Sequence, residues 1–376
     1  MKTKDLPLKP QKNLFDIWLL GATLLLVVVG LLAIYDASVV AAFRDFGDKL
    51  YYFKNQLIWA SLGFLSLAFF SFFDYHRLLK ISPLLLGFSI FLLVIVLIPH
   101  IGTKIYGARR WINISGFTFQ PSEFAKLATI LYGSAIMTRF ENFKIKLFDV
   151  FLVLFLPILT IAALVLLEPD FGTSLIFIGI ILTIYFVGNG TFWHFLLLIP
   201  VTIVGSVAMI MTHAYRFERL KSFLNPSYDP QGASYQINQI LIALTSGGIL
   251  GVGLGGSRSK FAFVPEIQSD AIFAVWVEEL GFIGAIFLIG LFLFLIYRAI
   301  NIARNACDYQ GRILAMAIVS LLSIQTLINL ASIVVLIPLT GVPLPFISYG
   351  GSSLFVTLTA IGILSNIRRQ SLGQQR

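Results

Sequence analysis

Apolar residues fall along this chain in ten blocks, each close to the roughly 20 residues that a helix needs to cross a bilayer core. The blocks are 14–35, 56–73, 83–99, 122–139, 150–167, 171–188, 193–212, 271–297, 313–337 and 351–367. The first is too long for a signal peptide, and no small-residue cleavage site leads from it into a soluble domain, so it reads as a retained span. Pro83 reads as the opening of the third block, where a missing N–H costs little, and Pro99 closes it. The pattern predicts an all-α polytopic membrane protein of about ten transmembrane helices. A tail over 1–13 precedes a single transmembrane domain over 14–367, and a tail over 368–376 follows. Most connections are short, but the one between spans seven and eight, about 213–270, is nearly 60 residues long. Loops of that length in compact proteins are usually functional or disordered. Here Ile237, Ile240, Leu241 and Leu244 recur at helical spacing. They predict an amphipathic helix that lies in or dips into the membrane interface, or equally one that covers the bundle.

Composition sharpens this. Of 376 residues, 58% are hydrophobic and 12% charged, against roughly a quarter charged in soluble domains. Mean hydropathy is +0.90. A soluble multidomain enzyme and a disordered chain are excluded. The lone cysteine, Cys307, cannot form an internal bridge. A net charge of +9 is better matched to anionic headgroups of the lipid bilayer than to nucleic acid. With the N-terminus inside, 15 of the 27 Lys and Arg fall on the inner side and 11 on the outer, and Lys126 lies within a span. Five of the outer eleven sit in the long loop, which crosses regardless of charge. Both termini are therefore expected to be cytoplasmic. The remaining outer cations oppose the topology rule, which marks them as ligand candidates.

The 3–4 loop carries Arg109 and Arg110, then Gln120-Pro121-Ser122-Glu123, with Lys126 about one turn into the span. Ser122 is placed to cap the helix, and Glu123 suits its first turn. Lys126 and Glu123 share a face and either neutralise each other or face a cavity, as ionisable groups within spans tend to do. Glu168-Pro169-Asp170 lies between spans five and six, either as a helix cap or as a cation or sugar contact. In the long loop, Gly247, Gly248, Gly251, Gly253, Gly255 and Gly256 lead to Ser257-Arg258-Ser259-Lys260. No Gly-Lys-Ser/Thr ends this run and no strand precedes it, so it is neither a P-loop nor a dinucleotide fingerprint. Its backbone and the cations Arg258 and Lys260 suit a phosphate, although a plain flexible turn fits as well.

Asp270 stands at the mouth of span eight, where a cap is the ordinary role. Glu278 and Glu279 lie about two turns deeper, and adjacent carboxylates in a span cannot both be hidden on one helical face. Thr340-Gly341-Val342-Pro343-Leu344-Pro345-Phe346-Ile347-Ser348-Tyr349-Gly350-Gly351 precedes span ten. Irregular backbone at membrane depth is tolerated only when protein buries it or it lines a cavity. His76, His100, His194 and His213 are scattered, so no zinc cluster is expected.

Taken in order, these segments resemble the SEDS family (shape, elongation, division and sporulation proteins), over nearly the whole chain. The Arg109-Arg110 pair and Gly251-Val252-Gly253-Leu254-Gly255-Gly256-Ser257-Arg258 are closer to its division-type branch than to its elongation-type branch. The resemblance implies a peptidoglycan glycosyltransferase of the bacterial cytoplasmic membrane, with its active site facing outward. It would polymerise lipid II for septal wall synthesis alongside a class B penicillin-binding protein and other divisome membrane proteins. The family's essential aspartate maps to Asp270. The family usually has His-Thr before that residue and Phe after it, whereas this chain has Gln268-Ser269 and Ala271.

In that reading Asp270 is the catalytic base that takes the proton of an attacking sugar 4-hydroxyl, worth roughly 10²–10⁴-fold. An α-linked donor and a β-1,4 product imply inversion without a covalent intermediate. Arg109, Arg110 and Lys126, with Arg258 and Lys260 behind them, are the cations for the pyrophosphate leaving group. Glu123, Glu278 and Ser348 complete the expected substrate-binding set. No cofactor is required, although a divalent cation, magnesium or manganese, fits a pyrophosphate between carboxylates. Two rivals remain: a lipid II flippase, and a non-catalytic scaffold for a transpeptidase.

Overall fold

The computed structural model describes residues 15–105, 108–114, 117–140, 147–190, 200, 214–229, 232, 234–260 and 267–373. The block 193–212, expected as span seven, lies outside them except for residue 200. Helices dominate: α1 (Ile17–Phe46), α2 (Tyr51–Phe72), α3 (Tyr75–Leu97), α4 (Pro121–Arg139), α5 (Leu147–Val150), α6 (Leu156–Leu167), α7 (Phe171–Val187), α8 (Ala214–Leu224), α9 (Tyr235–Ser246), α10 (Ile272–Arg304), α11 (Tyr309–Ile333) and α12 (Gly351–Gly373). A π-turn over Phe151–Phe155 joins α5 to α6. Among the described residues, six helices are long and apolar enough to cross a membrane: α1, α2, α3, the stretch Phe148–Leu167, α10 and α11. The α7 helix is shorter but apolar.

Local chemistry sets the boundaries. Asp16 accepts from the Leu19 N–H at 3.0 Å to start α1. Gly47, with φ of 70°, ends it. Helix α3 begins at Tyr75 under an Asp74 cap, not at Pro83 as the sequence suggested. Pro83 is interior, and the Ser82 hydroxyl donates to the Leu79 carbonyl at 2.7 Å, the acceptor that a proline N–H cannot serve. One departure from an all-α chain is a three-stranded antiparallel sheet between α3 and α4. Its strands are β1 (Gly102–Ile105), β2 (Ala108–Ile114) and β3 (Phe117–Phe119), with Thr103 opposite Trp111 and Ile112 opposite Phe119. The alternation is too short to stand out between two long apolar blocks.

Helix α11 is the hub, packing on α4, α7, α10 and α12, while α12 lies along α2 and α1 along α10. The sheet packs on α3, on α4 and on α12, where Ser352 meets Thr118, and Arg110 of β2 reaches the turn between α6 and α7; this end of the bundle is here called the hairpin end. There the segment 340–350 crosses the bundle as a strap. Val342, Leu344, Phe346 and Ile347 are buried in it. The Gln56 amide brackets it, donating to the Ser348 carbonyl at 3.4 Å and accepting from the Gly350 N–H at 3.2 Å. Non-helical backbone thus sits where protein covers it, as expected.

Helix α10 is broken at Gly281, where φ is 65° and ψ −164°. The glycine-rich loop after α9 is spliced into the break. The Phe282 and Ile283 N–H groups donate to the Gly248 and Ile249 carbonyls at 3.0 and 3.3 Å, and the Val252 and Gly253 N–H groups to the Glu278 and Glu279 carbonyls, both at 3.0 Å. A Cβ on Gly251, whose φ is +80°, would stand 2.0 Å from the Glu279 carbonyl oxygen. Gly251→Ala is therefore expected to cost at least about 2 kcal/mol and to lower the melting temperature in detergent. Gly87→Ala, in open space, is the control that leaves it unchanged or higher. Equal melting of the two variants would contradict the splice.

Candidate functional site

Asp270 sits one residue before the α10 cap, which is Ala271 and makes no side-chain cap bond. The residue is half-buried. Its backbone carbonyl accepts from Asn329 Nδ2 at 3.0 Å, and the same amide donates to the Val342 carbonyl at 2.8 Å. The Gln268 carbonyl accepts from the Tyr349 N–H at 2.9 Å. Two elements therefore fix the Asp270 turn: the polar face of α11 and the strap. At Gly341, φ is +72° and an added Cβ would lie 3.3 Å from Asp270 Oδ2. Glycine makes room here for the carboxylate.

One turn earlier on α11, Gln325 donates to the Pro343 carbonyl at 3.0 Å and accepts from Lys126 Nζ at 3.0 Å. Lys126 also pairs with Glu123 at 2.8 Å, and both are almost wholly buried, at 1% and 2% exposure. The Glu123–Lys126 pair therefore neutralises itself while joining α4 to α11. Ser122 does not cap α4. The cap is Gln120, and the Ser122 hydroxyl is buried without a partner. Pro121 occupies the first helical position, which puts Ser122 two residues too late to cap.

The opposite wall comes from the α6–α7 turn. Asp170 caps α7, accepting from the Thr173 N–H at 3.1 Å. Arg110, on β2, donates through Nε to the Glu168 carbonyl at 3.0 Å, binds the Pro169 carbonyl and reaches Asp170 Oδ2 at 3.7 Å. Gly172 lies against Thr340 and Val342, so this turn abuts the strap beside Asp270. Glu168 is fully buried, and neither carboxyl oxygen has a hydrogen-bond partner. Burial, reinforced by Asp170 and only partly offset by Arg110, pushes its pKa up to about 9.

The sign of the pH effect follows. The carboxyl ionises near 4.5 in the unfolded chain and keeps its proton in the fold to about 9. Its contribution to stability is full below the lower value and declines as pH rises through the upper one. The loss is up to about 3 kcal/mol by pH 7. Glu168→Gln removes that decline, so the variant's melting advantage over the parent is expected to grow from about pH 5 to about pH 8. An advantage that stays constant with pH would show that Glu168 is ionised in the fold.

The remaining predicted groups form a second cluster about 12 Å further along α10, by helical rise. Glu278 accepts from the Ser257 hydroxyl and from the Arg258 N–H at 3.1 Å. Glu279 accepts from the Ser257 N–H at 3.1 Å and pairs with Lys260 at 3.1 Å. Lys260 also pairs with Asp36 of α1 at 3.0 Å. This cluster anchors the glycine-rich loop. The Ser348 hydroxyl accepts from the Leu344 N–H at 2.8 Å, which shapes the strap. Of the five cations expected to meet a diphosphate, Lys126, Lys260 and Arg110 are committed to protein partners. The guanidinium groups of Arg109 and Arg258 have no partner among the described residues. Gln56, Gln325 and Asn329 organise the site, and sequence reasoning missed them because it followed ionisable groups. The signal was amides within apolar spans, two of them one turn apart on α11. Among the described residues no group of His, Cys, Asp or Glu could hold a metal ion.

Known proteins resemble this chain over nearly its whole length. The cell cycle protein family model covering FtsW, RodA and SpoVE matches residues 17–372. The chain is 41% identical to stage V sporulation protein E of Bacillus subtilis (strain 168), covering 95% of this chain and 97% of that protein. It is 40% identical to the probable peptidoglycan glycosyltransferase FtsW of Trichlorobacter lovleyi, covering 94% and 93%. Among solved structures, a chain from a study of how a peptidoglycan synthase complex coordinates polymerization and crosslinking superposes with a TM-score of 0.77 at 28% identity, covering 95% of this chain and 98% of that one. The rod shape determining protein RodA of Thermus thermophilus superposes with a TM-score of 0.69 at 26% identity, covering 96% and 99%.

Proposed function

The chain belongs to the FtsW/RodA/SpoVE family of cell cycle proteins, and on that footing we propose that Asp270 is the base of its glycosyl-transfer reaction. The protein is a multi-pass membrane glycosyltransferase that polymerises lipid II into glycan strands for the septal wall. The observation that carries the assignment is the Asp270 turn. Two elements hold its backbone, from α11 and from the strap, and Gly341 leaves its carboxylate space.

Each step is assigned to a residue of this chain. Asp270 accepts the proton of the acceptor sugar 4-hydroxyl as the oxygen attacks the anomeric carbon. The bond from that carbon to the diphosphate breaks, with inversion, and undecaprenyl pyrophosphate leaves. Arg109 stabilises the departing diphosphate and Arg258 assists. Arg110 holds the α6–α7 turn, and the Lys126–Glu123–Gln325 chain holds α4 to α11. Glu278, Glu279 and Lys260 keep the glycine-rich loop in place. Asp270 would be the residue to hold a divalent cation, which would supply positive charge for the leaving diphosphate; among the described residues no carboxylate cluster is dedicated to one. The site faces outward with both termini cytoplasmic, which the inner excess of Lys and Arg supports. The proposed partner is a class B penicillin-binding protein, supported by the similarity to a chain of a peptidoglycan synthase complex.

The test uses the full chain in proteoliposomes with its cognate transpeptidase and labelled lipid II. Glycan polymer is the expected product. Movement of lipid II between leaflets without polymer would favour the flippase, and neither activity would favour the scaffold. Arg109→Ala is expected to raise the apparent KM for lipid II about tenfold or more, the scale of one charged contact, with little change in melting. An unchanged KM would remove Arg109 from the site.

A further inference from the structure

The glycine-rich loop does more than close a gap in α10. Ile249, Leu250 and Leu254 are exposed to 70%, 78% and 79%, and Val252 and Ile242 are exposed beside them. No Asp, Glu, Lys or Arg occurs from 230 to 257. In a water-facing loop such a patch would be a liability. The backbone supplies a second observation. Irregular chain is barred from hydrocarbon unless its N–H and C=O groups are satisfied, and here those at the splice are. The N–H groups of Gly251, Val252, Gly253, Gly256, Ser257 and Arg258 all have acceptors within 3.1 Å. The Gly248 and Ile249 carbonyls receive the α10 N–H groups that the Gly281 break frees. Third, the patch is continuous with a lipid-facing surface. Phe282 and Ile283, bonded directly to the loop, are themselves exposed, and Ile286 and Phe287 extend the same exposure down α10. That helix stays apolar from Leu280 to Tyr297 and meets Arg298, a run of about 27 Å by helical rise. The splice therefore lies at the hydrocarbon boundary.

We propose that the loop 247–256 is a shallow re-entrant anchor, with Ile249, Leu250 and Leu254 seated in the acyl chains of the leaflet at the hairpin end. The glycines supply the left-handed backbone that turns the chain there. The Glu278 and Glu279 carboxylates stop the descent by capping Ser257 and Arg258, which holds the charged residues at headgroup level. This inference rests on the membrane-spanning architecture and not on the chemistry of Asp270.

The test is depth-resolved quenching in the full chain. Cys307 is replaced by serine, and single cysteines at Leu250, Leu254 or Ser227, an exposed position in the polar part of the same long loop, carry an environment-sensitive fluorophore in proteoliposomes. At Leu250→Cys and Leu254→Cys, iodide quenching is expected to be several-fold weaker than at Ser227→Cys. Nitroxides on the acyl chains should quench both, more strongly from near the glycerol than from near the terminal methyl. Iodide access equal to that at Ser227→Cys would place the loop in water and overturn the proposal. Shielding from iodide and nitroxide alike would mean that protein covers the patch, which overturns it equally. The two sites are read separately, so misfolding of one leaves the other decisive.

Discussion

Lys126→Met is expected to destabilise the protein by about 3–5 kcal/mol, the cost of breaking a buried ion pair by removing one partner. The methionine fills most of the lysine's volume, so packing is not the main loss. What remains is Glu123, 2% exposed and without its cation, and Gln325, without a donor for its carbonyl oxygen. Adding Glu123→Gln should restore much of the stability, because a neutral amide costs far less to bury than a lone carboxylate. Thermal melting of the two single variants and the double in detergent measures this. A Lys126→Met protein that melts with the parent would mean that water reaches the pair and that Lys126 is free to serve substrate.

Asp270→Asn is expected to lower the polymerisation rate by roughly 10²–10⁴-fold, the range a positioned general base contributes, while leaving the fold alone. The reason lies in how the turn is held. The contacts from Asn329 and Tyr349 go to backbone carbonyls of residues 270 and 268, which the substitution does not touch. Asparagine also matches aspartate in size at the point of closest approach to Gly341. Lys126 and Asp270 thus separate by readout: the first loses stability, the second loses turnover.

Much of this layout was legible in the sequence. Nine of the ten apolar blocks coincide with described helices, because bilayer-length runs carry the strongest pattern a chain offers. The strap 340–350 was expected either to be buried by protein or to line a cavity, and its apolar side chains are buried, since unpaired backbone has few refuges in a membrane. Three things were hidden. The sheet over Gly102–Phe119 was hidden by its brevity. The partners of the charged residues were hidden by distance along the chain: Lys260 finds Asp36, and Lys126 finds Gln325, pairings that only the fold reveals. The buried amides Gln56, Gln325 and Asn329 were hidden by their neutrality. The outer cations showed as candidates from their opposition to the topology rule, but that rule does not separate Arg109 from Arg110. The structure does, through the three contacts that Arg110 makes with the α6–α7 turn.

The most direct measurement is glycan polymer formed from labelled lipid II by the parent and by Asp270→Asn, side by side in identical proteoliposomes containing the same transpeptidase. Polymer is expected from the parent and at least about a hundredfold less from the variant, at equal melting temperature. Polymerisation by Asp270→Asn at the parental rate would contradict it and move the base to another residue.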